Sequence, residues 1–129
     1  MTSYQFIGHC VSGQQTTPRG VASIYFDGKH IYSYGLHYPL LVNINGRWLL
    51  NDSGYSMTTA KHISWARSYA NYIMACSSTD LTTIKRAVKK ELLEIKTALQ
   101  QLSKRAFKQK LNKEARQEEL QYTLDFITA

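Results

Sequence analysis

Residues 21–51, VASIYFDGKHIYSYGLHYPLLVNINGRWLLN, alternate apolar runs with two turn-forming dipeptides. Asp27-Gly28 and Asn45-Gly46 favour tight hairpin turns because both residue types tolerate a positive φ. The runs that flank each dipeptide have the length and composition of strands. The stretch therefore predicts two hairpins within a small antiparallel β-meander.

Two segments precede these hairpins. Residues 4–11, YQFIGHCV, have the apolar composition of a further strand, and residues 13–20, GQQTTPRG, are typical of a polar loop. With the first segment counted, the predicted meander has four or five strands.

Glycine and proline occur only in the first part of the chain. All seven glycines and both prolines lie within residues 1–54, so nothing interrupts helix formation in residues 55–129. Ser56, Thr58 and Thr59 are competent N-caps for a packing helix that runs to about Cys76. Asp80 is a good cap for a second, longer helix.

The apolar residues of this longer helix recur with a period close to that of an α-helix. They form one narrow apolar seam over residues 81–106: Leu81, Ile84, Val88, Leu92, Ile95, Leu99, Leu102 and Ala106. Asn112 is expected to mark a bend. The apolar residues around and beyond that bend are Leu111, Ala115, Leu120, Leu124 and Ile127.

These patterns predict an α+β fold in a single domain, residues 1–129. A small antiparallel β-meander (residues 1–54) packs on a helix (residues 55–79). A basic helical arm (residues 80–129) follows, in which a long helix and a C-terminal helix form a helical hairpin.

Composition limits the classes of partner. The net charge of +7 and the isoelectric point near 9.5 favour polyanions such as nucleic acid. The chain has no apolar run long enough to span a bilayer, and we expect no membrane partner. Cys10 and Cys76 are interpreted as free thiols of a cytoplasmic protein.

Positive charge concentrates beside the apolar seam. On a helical wheel seven cations fall on one flank and the back of the helix, whereas Glu91 and Glu94 fall on the other flank. These seven are Lys85, Arg86, Lys89, Lys90, Lys96, Lys104 and Lys108. The predicted phosphate contacts are Lys85, Arg86, Lys89, Lys90, Lys96, Lys104, Arg105 and Lys108.

The same pattern allows two other interpretations. A run of cations can simply be the solvated face of a long helix. Alternatively, flanks of opposite charge beside an apolar seam are what paired helices use to select their register, which would make the 81–106 seam the contact of a homodimer.

Signals for catalysis or metal binding are weak. Neighbouring His9 and Cys10 would point to opposite faces of a strand, and no metal-ligand spacing such as CxxC occurs. Cys10 with His37 could serve a small Cys/His enzyme, but a single apolar-strand cysteine more often packs in a core. The sequence predicts no catalytic residue, no metal and no cofactor.

Residues 31–62 are rich in aromatic side chains interleaved with cations, a combination that can stack single-stranded nucleic acid. The alternative is that these aromatics cover one sheet face and pack against the following helix. The candidate stacking or motif surface comprises Tyr34, His37, Tyr38, Trp48 and His62.

A fixed order of residues runs through this region. Ser33-Tyr34-Gly35, His37 and Pro39-Leu40 are followed by Trp48, Asn51, Tyr55-Ser56, Thr58-Thr59 and Lys61-His62. In this pattern, residues 29–62 resemble a small uncharacterised domain of bacteriophages and other mobile elements. The resemblance implies a phage or mobile-element setting, with the host cytosol as the location if the chain is phage-encoded, and attaches no activity.

Together these observations predict a non-enzymatic, phage-type protein that associates with nucleic acid, DNA or RNA, or with a nucleoprotein complex, through the basic helical face. The alternative is a protein–protein interaction factor, such as an anti-CRISPR-like counter-defence inhibitor that docks on a host assembly.

Overall fold

The computed structural model describes residues 1–53 and 57–129. The elements in chain order are α1 (Ser3–Val11), β1 (Arg19–Val21), β2 (Ile24–Phe26), β3 (Ile31–Ser33), β4 (Tyr38–Ile44), β5 (Arg47–Asn51), α2 (Met57–Arg67), β6 (Tyr72–Met74), α3 (Leu81–Gln101) and α4 (Phe107–Thr128). The predicted α+β class with a C-terminal helical hairpin is confirmed.

The strands form one sheet in the order β1-β2-β3-β4-β5-β6, antiparallel throughout except for the parallel β5–β6 pair. Asn45 (φ 50°) and Gly46 (φ 82°) join β4 to β5 in a left-handed pair, as their chemistry predicts. At the other predicted turn only Gly28 has a positive φ. There the Asp27 carboxylate accepts hydrogen bonds from the backbone N–H groups of Lys29 and His30 (2.8 and 2.6 Å).

The prediction of a strand at residues 4–11 is wrong, because this segment is helix α1. Thr2 Oγ1 accepts a hydrogen bond from Gln5 N (3.1 Å), and Gln5 Oε1 accepts one from Thr2 N (2.9 Å). This reciprocal capping box starts a helix that buries Phe6, Ile7 and Cys10. The prediction that His9 and Cys10 lie on opposite faces of a strand is therefore also wrong, because both residues lie in α1.

Helix α2 is shorter than predicted. It ends at Arg67 instead of Cys76, and residues 72–74 form the sixth strand. Asn71 causes the change, because its Oδ1 accepts from Trp48 N (2.9 Å) and its N–H donates to Trp48 O (2.8 Å). The chain is thereby tied to the edge of β5. Thr58 and Thr59 lie inside the helix and are not its N-caps, whereas the Ser56 prediction lies outside the described residues.

Helix α3 begins where predicted. The Asp80 carboxylate accepts from Thr83 N (2.9 Å) and Thr83 Oγ1 (2.7 Å). The predicted bend at Asn112 is wrong, since Asn112 lies within α4 and the break falls at residues 102–106. Leu102 has extended backbone (ψ 137°), which ends α3 and lets α4 return against it.

The helical hairpin is part of the main core. Ile84, Val88 and Ile95 are buried in the same hydrophobic cluster as the sheet, so the apolar seam is largely covered within the chain. A homodimer through that seam would have to displace the chain's own packing. From α4, Leu120 and Ile127 enter this cluster, and residues 80–129 are not a separate arm.

Helix α4 is also bound to the sixth strand by specific contacts. Thr123 Oγ1 donates to the carbonyl of Ile73 (2.6 Å), and the Phe126 ring stacks on Tyr72 at 4.6 Å. Leu111 and Ala115 are exposed, on the side of α4 away from the buried Leu120. Among the described residues, no helix is long and apolar enough to cross a membrane.

Candidate nucleic-acid interface

Glu91, on the acidic flank of α3, pairs with a cation of α4. The Arg116 guanidinium contacts the Asp52 carboxylate (2.8 Å) and the Glu91 carboxylate (3.2 Å). Burial opposes the charge on Arg116, but hydrogen bonds to the two carboxylates outweigh it and raise the Arg116 pKa. This three-residue network joins α4 to α3 and to the segment after β5.

The predicted cations lie mostly on the outside of the hairpin. We call them the basic face: Lys85, Arg86, Lys89, Lys90, Lys96, Lys104, Arg105 and Lys108. Seven are exposed, and Lys85 is half-buried. Within residues 1–53 and 57–129, the ion pairs involve only Lys110 and Arg116 as cations. No cation of the basic face therefore lies within 4 Å of a carboxylate in the described part of the chain.

The basic face is elongated. Its first four cations lie in the N-terminal half of α3, Lys96 follows nearer the end of that helix, and Lys104 and Arg105 occupy the hairpin loop. A helix of this length spans roughly 30 Å at 1.5 Å per residue. That distance corresponds to roughly nine base-pair steps of 3.4 Å, so the cations can face a succession of phosphates along a duplex.

An apolar side chain lies among these cations. Leu93 is 65% exposed and lies four residues after Lys89 and three before Lys96, so it shares their side of α3. An exposed leucine between lysines can contact the apolar surface of a ribose, a base or a protein partner.

The motif residues of the sheet form a second cluster, centred on a buried histidine. His62 Nδ1 lies 2.6 Å from Ser33 Oγ. The imidazole lies between the rings of Tyr34 (5.7 Å) and Trp65 (5.5 Å). Tyr34 itself has φ 60°, a left-handed conformation that is uncommon outside glycine and asparagine. The structure thus brings together the Ser-Tyr and Lys-His ends of the sequence pattern.

Other motif residues hold neighbouring strands together. Tyr38 Oη donates to the carbonyl of Asn51 (3.0 Å), and Asn51 Nδ2 donates to the carbonyl of Pro39 (2.9 Å). Tyr38, Trp48 and His62 are all buried, so they offer no open ring face to a base. Of the candidate stacking surface, Tyr34 and His37 remain exposed. This arrangement favours the packing interpretation.

The buried histidines predict a pH-dependent stability. Burial, followed by the positive charge of Lys61, lowers the His62 pKa, and burial likewise lowers the His30 pKa. The unfolded chain then binds more protons than the folded chain below about pH 7, so the free energy of unfolding falls as pH decreases from 7 to 5. The slope is at most about 1.4 kcal/mol per pH unit for each histidine.

Chemical denaturation at several pH values tests this expectation. The variant H62N should show a smaller loss of stability between pH 7 and pH 5 than the unmodified protein, whatever its stability at neutral pH. An unchanged slope would show that protonation of His62 does not oppose folding.

Cys10 is poorly suited to be a nucleophile. The thiol is buried within α1, and burial raises its pKa to about 12, which suppresses the reactive thiolate. Cys10 and Cys76 are both free thiols. In the described part of the chain, no three His, Cys, Asp or Glu side chains are grouped so that they could hold a metal ion.

Comparison with protein-family models, with curated proteins and with solved structures finds no match to this chain. The function must therefore be argued from the chain's own residues. Helical periodicity sufficed to find the basic face. No sequence signal pointed to the Arg116 network, because its three members come from segments far apart in the chain.

Proposed function

We propose that this protein binds nucleic acid through the basic face, without catalysing a reaction. One observation carries the proposal: seven exposed cations line one hairpin, and within the described residues none of them forms an ion pair with a carboxylate. Arg116, by contrast, is half-buried and pairs with two carboxylates, Glu91 of α3 and Asp52 of the segment after β5.

The energetics support this proposal over a merely solvated face. Arg86 and Lys90 are i,i+4 neighbours of like charge, as are Lys104 and Lys108, although the second pair spans the hairpin loop. A like pair within a helix costs roughly 0.2 to 0.5 kcal/mol. A solvated helix avoids that cost by alternating charges, whereas phosphates remove it by neutralising the cations and releasing counterions. The resemblance of residues 29–62 to a phage domain supports a phage-type setting.

Binding of labelled duplex DNA, single-stranded DNA and single-stranded RNA, measured by fluorescence anisotropy over 50 to 300 mM salt, tests the proposal. We expect binding that weakens steeply with salt, with a logarithmic slope that grows by about 0.9 per phosphate contacted on duplex DNA. Absence of binding to all three probes at about 50 mM salt would contradict it.

A protein partner is the alternative, and exposed Leu93 favours it. Such a partner would be a host assembly that the protein inhibits or recruits, as a counter-defence factor does. Capture from host lysate before and after nuclease treatment separates the two functions. Capture that survives nuclease, together with absent binding to the three purified probes, would favour the protein partner.

A further inference from the structure

Helix α4 carries a second apolar face that its own fold does not use. We call Phe107, Leu111, Ala115 and Tyr122 the outer stripe. Phe107 is 69% exposed, Leu111 49% and Tyr122 57%, and Ala115 is also exposed. Spacings of four, four and seven residues place all four on one side of the helix. The buried residues Leu120, Thr123 and Ile127 lie on the opposite side.

The outer stripe is more apolar than solvation requires. Isolated exposed apolar residues are normal, but four on one helix face mark an interaction surface. The row is interrupted only by Glu118, whose carboxylate accepts a hydrogen bond from Tyr122 Oη (3.0 Å). Phenylalanine and tyrosine rings each offer roughly 150 to 250 Å² of surface, so they dominate the energetics of such a face.

The charges of α4 select the orientation of a second α4. Its first two turns carry Lys108, Lys110 and Lys113, whereas Glu118, Glu119 and Asp125 lie in its later turns. A parallel pair of these helices would set like charges side by side. An antiparallel pair sets the basic end of each helix against the acidic end of the other, which favours association.

A cleft of about 300 Å³ lies next to the outer stripe. Tyr122 and Glu119 line it from α4, and Leu50, Tyr72, Ile73 and Arg67 line it from the sheet edge and α2. Its walls are mainly apolar, and the charged side chains offer polar contacts. An exposed aromatic side chain of a partner is the kind of group that such a cleft accepts.

One register of two antiparallel α4 helices brings together the outer stripes, the opposite charges and the clefts of the two copies. Phe107 and Tyr122 are equally far from the point between Glu114 and Ala115. If a twofold axis passes near that point, Phe107 of each copy faces Tyr122 and the adjacent cleft of the other copy. Ala115, a small residue, then lies near the axis and allows the helices to approach. Lys108 of each copy lies opposite Gln121 of the other, about 3 Å along the helix axis from Glu119, which its long side chain can reach.

We propose that two copies of this chain associate through antiparallel pairing of the outer stripes, with Phe107 of each copy in the cleft beside Tyr122 of the other. The contact is isologous, so it closes as a dimer. The surface is limited to one helix and its cleft, and the dimer is therefore weak, with a dissociation constant in the roughly micromolar range or above. Lys108 is the one member of the basic face that this dimer also uses.

Sedimentation velocity without nucleic acid, from about 10 μM to 1 mM protein, tests the dimer independently of the proposed function. The unmodified chain should shift from monomer towards dimer over this range. F107E should remain monomeric throughout. L36E, which introduces the same charge at a 65% exposed leucine outside α4, should dimerise like the unmodified chain.

A charge exchange tests the register. K108E and E119K should each weaken the dimer several-fold, because each sets like charges together. The double variant K108E/E119K should recover most of the loss. A monomer at 1 mM, dimerisation of F107E equal to that of the unmodified chain, or a double variant weaker than both single variants would overturn the proposal.

Discussion

Neutralising the four cations in the N-terminal half of α3 should weaken binding to duplex DNA on the order of a thousandfold at 100 mM salt. The variant carries K85Q, R86Q, K89Q and K90Q. Each phosphate contact contributes about 0.9 to the logarithmic salt slope, so the loss of four contacts lowers the slope by roughly 3 to 4 and removes the matching counterion release. Anisotropy titrations at several salt concentrations measure both quantities.

A matched control separates the basic face from net charge. The control variant K29Q, R47Q, K61Q and R67Q removes the same charge from exposed residues outside α3 and α4. It should retain most of the affinity and most of the salt slope. If both variants lose binding equally, the protein attracts nucleic acid only through its overall charge, and the basic face has no special role.

Replacing Leu120 by alanine should destabilise the whole protein by about 2 to 5 kcal/mol. Leu120 is fully buried in the cluster that the hairpin shares with the sheet, so the truncation leaves a cavity in the main core. Urea denaturation followed by circular dichroism should show an earlier midpoint and a single transition.

Leu111 provides the control on the same helix. It is 49% exposed, so L111A should cost less than about 1 kcal/mol when measured at a protein concentration at which sedimentation shows only the monomer. If L120A were as mild as L111A, or if the hairpin unfolded in a separate transition, α4 would not belong to the folding unit.

Local signals predicted those elements whose cause is local. The Asn45-Gly46 dipeptide placed the β4–β5 turn, and the Asp80 side chain placed the start of α3, because each acts on backbone groups within three residues. The start of α1 was equally local. Thr2 and Gln5 have the spacing of a capping box, which indicates a helix. The apolar composition of residues 4–11 instead favoured a strand.

The sixth strand could not be predicted in the same way. Residues 72–74 lack Gly and Pro and continue a helical pattern of apolar residues. They become a strand because Asn71 bonds to Trp48 in β5, far away in sequence. Long-range hydrogen bonds of this kind produce no periodic pattern in the sequence.

In the candidate site, too, the sequence predicted the features that have a local cause and missed those that depend on long-range contacts. Helical periodicity placed the basic face on the outside of α3, since charge and exposure there follow from the position of the apolar seam. Burial of Trp48 and His62 depends on how α2 crosses the sheet, which neither residue encodes alone. The apolar residues of α4 were predicted only as a list, and the nine-residue spacing of Leu111 and Leu120 places them on opposite sides of one continuous helix.

Residue-level protection of lysines measures the central proposal most directly. The protein is treated briefly with an amine-acetylating reagent, with and without saturating duplex DNA at low salt, and the modification of each lysine is quantified by mass spectrometry. The basic face predicts protection of Lys89, Lys90 and Lys96 and unchanged modification of Lys29 and Lys61. Protection of Lys29 and Lys61 with unchanged modification of the three α3 lysines would contradict it.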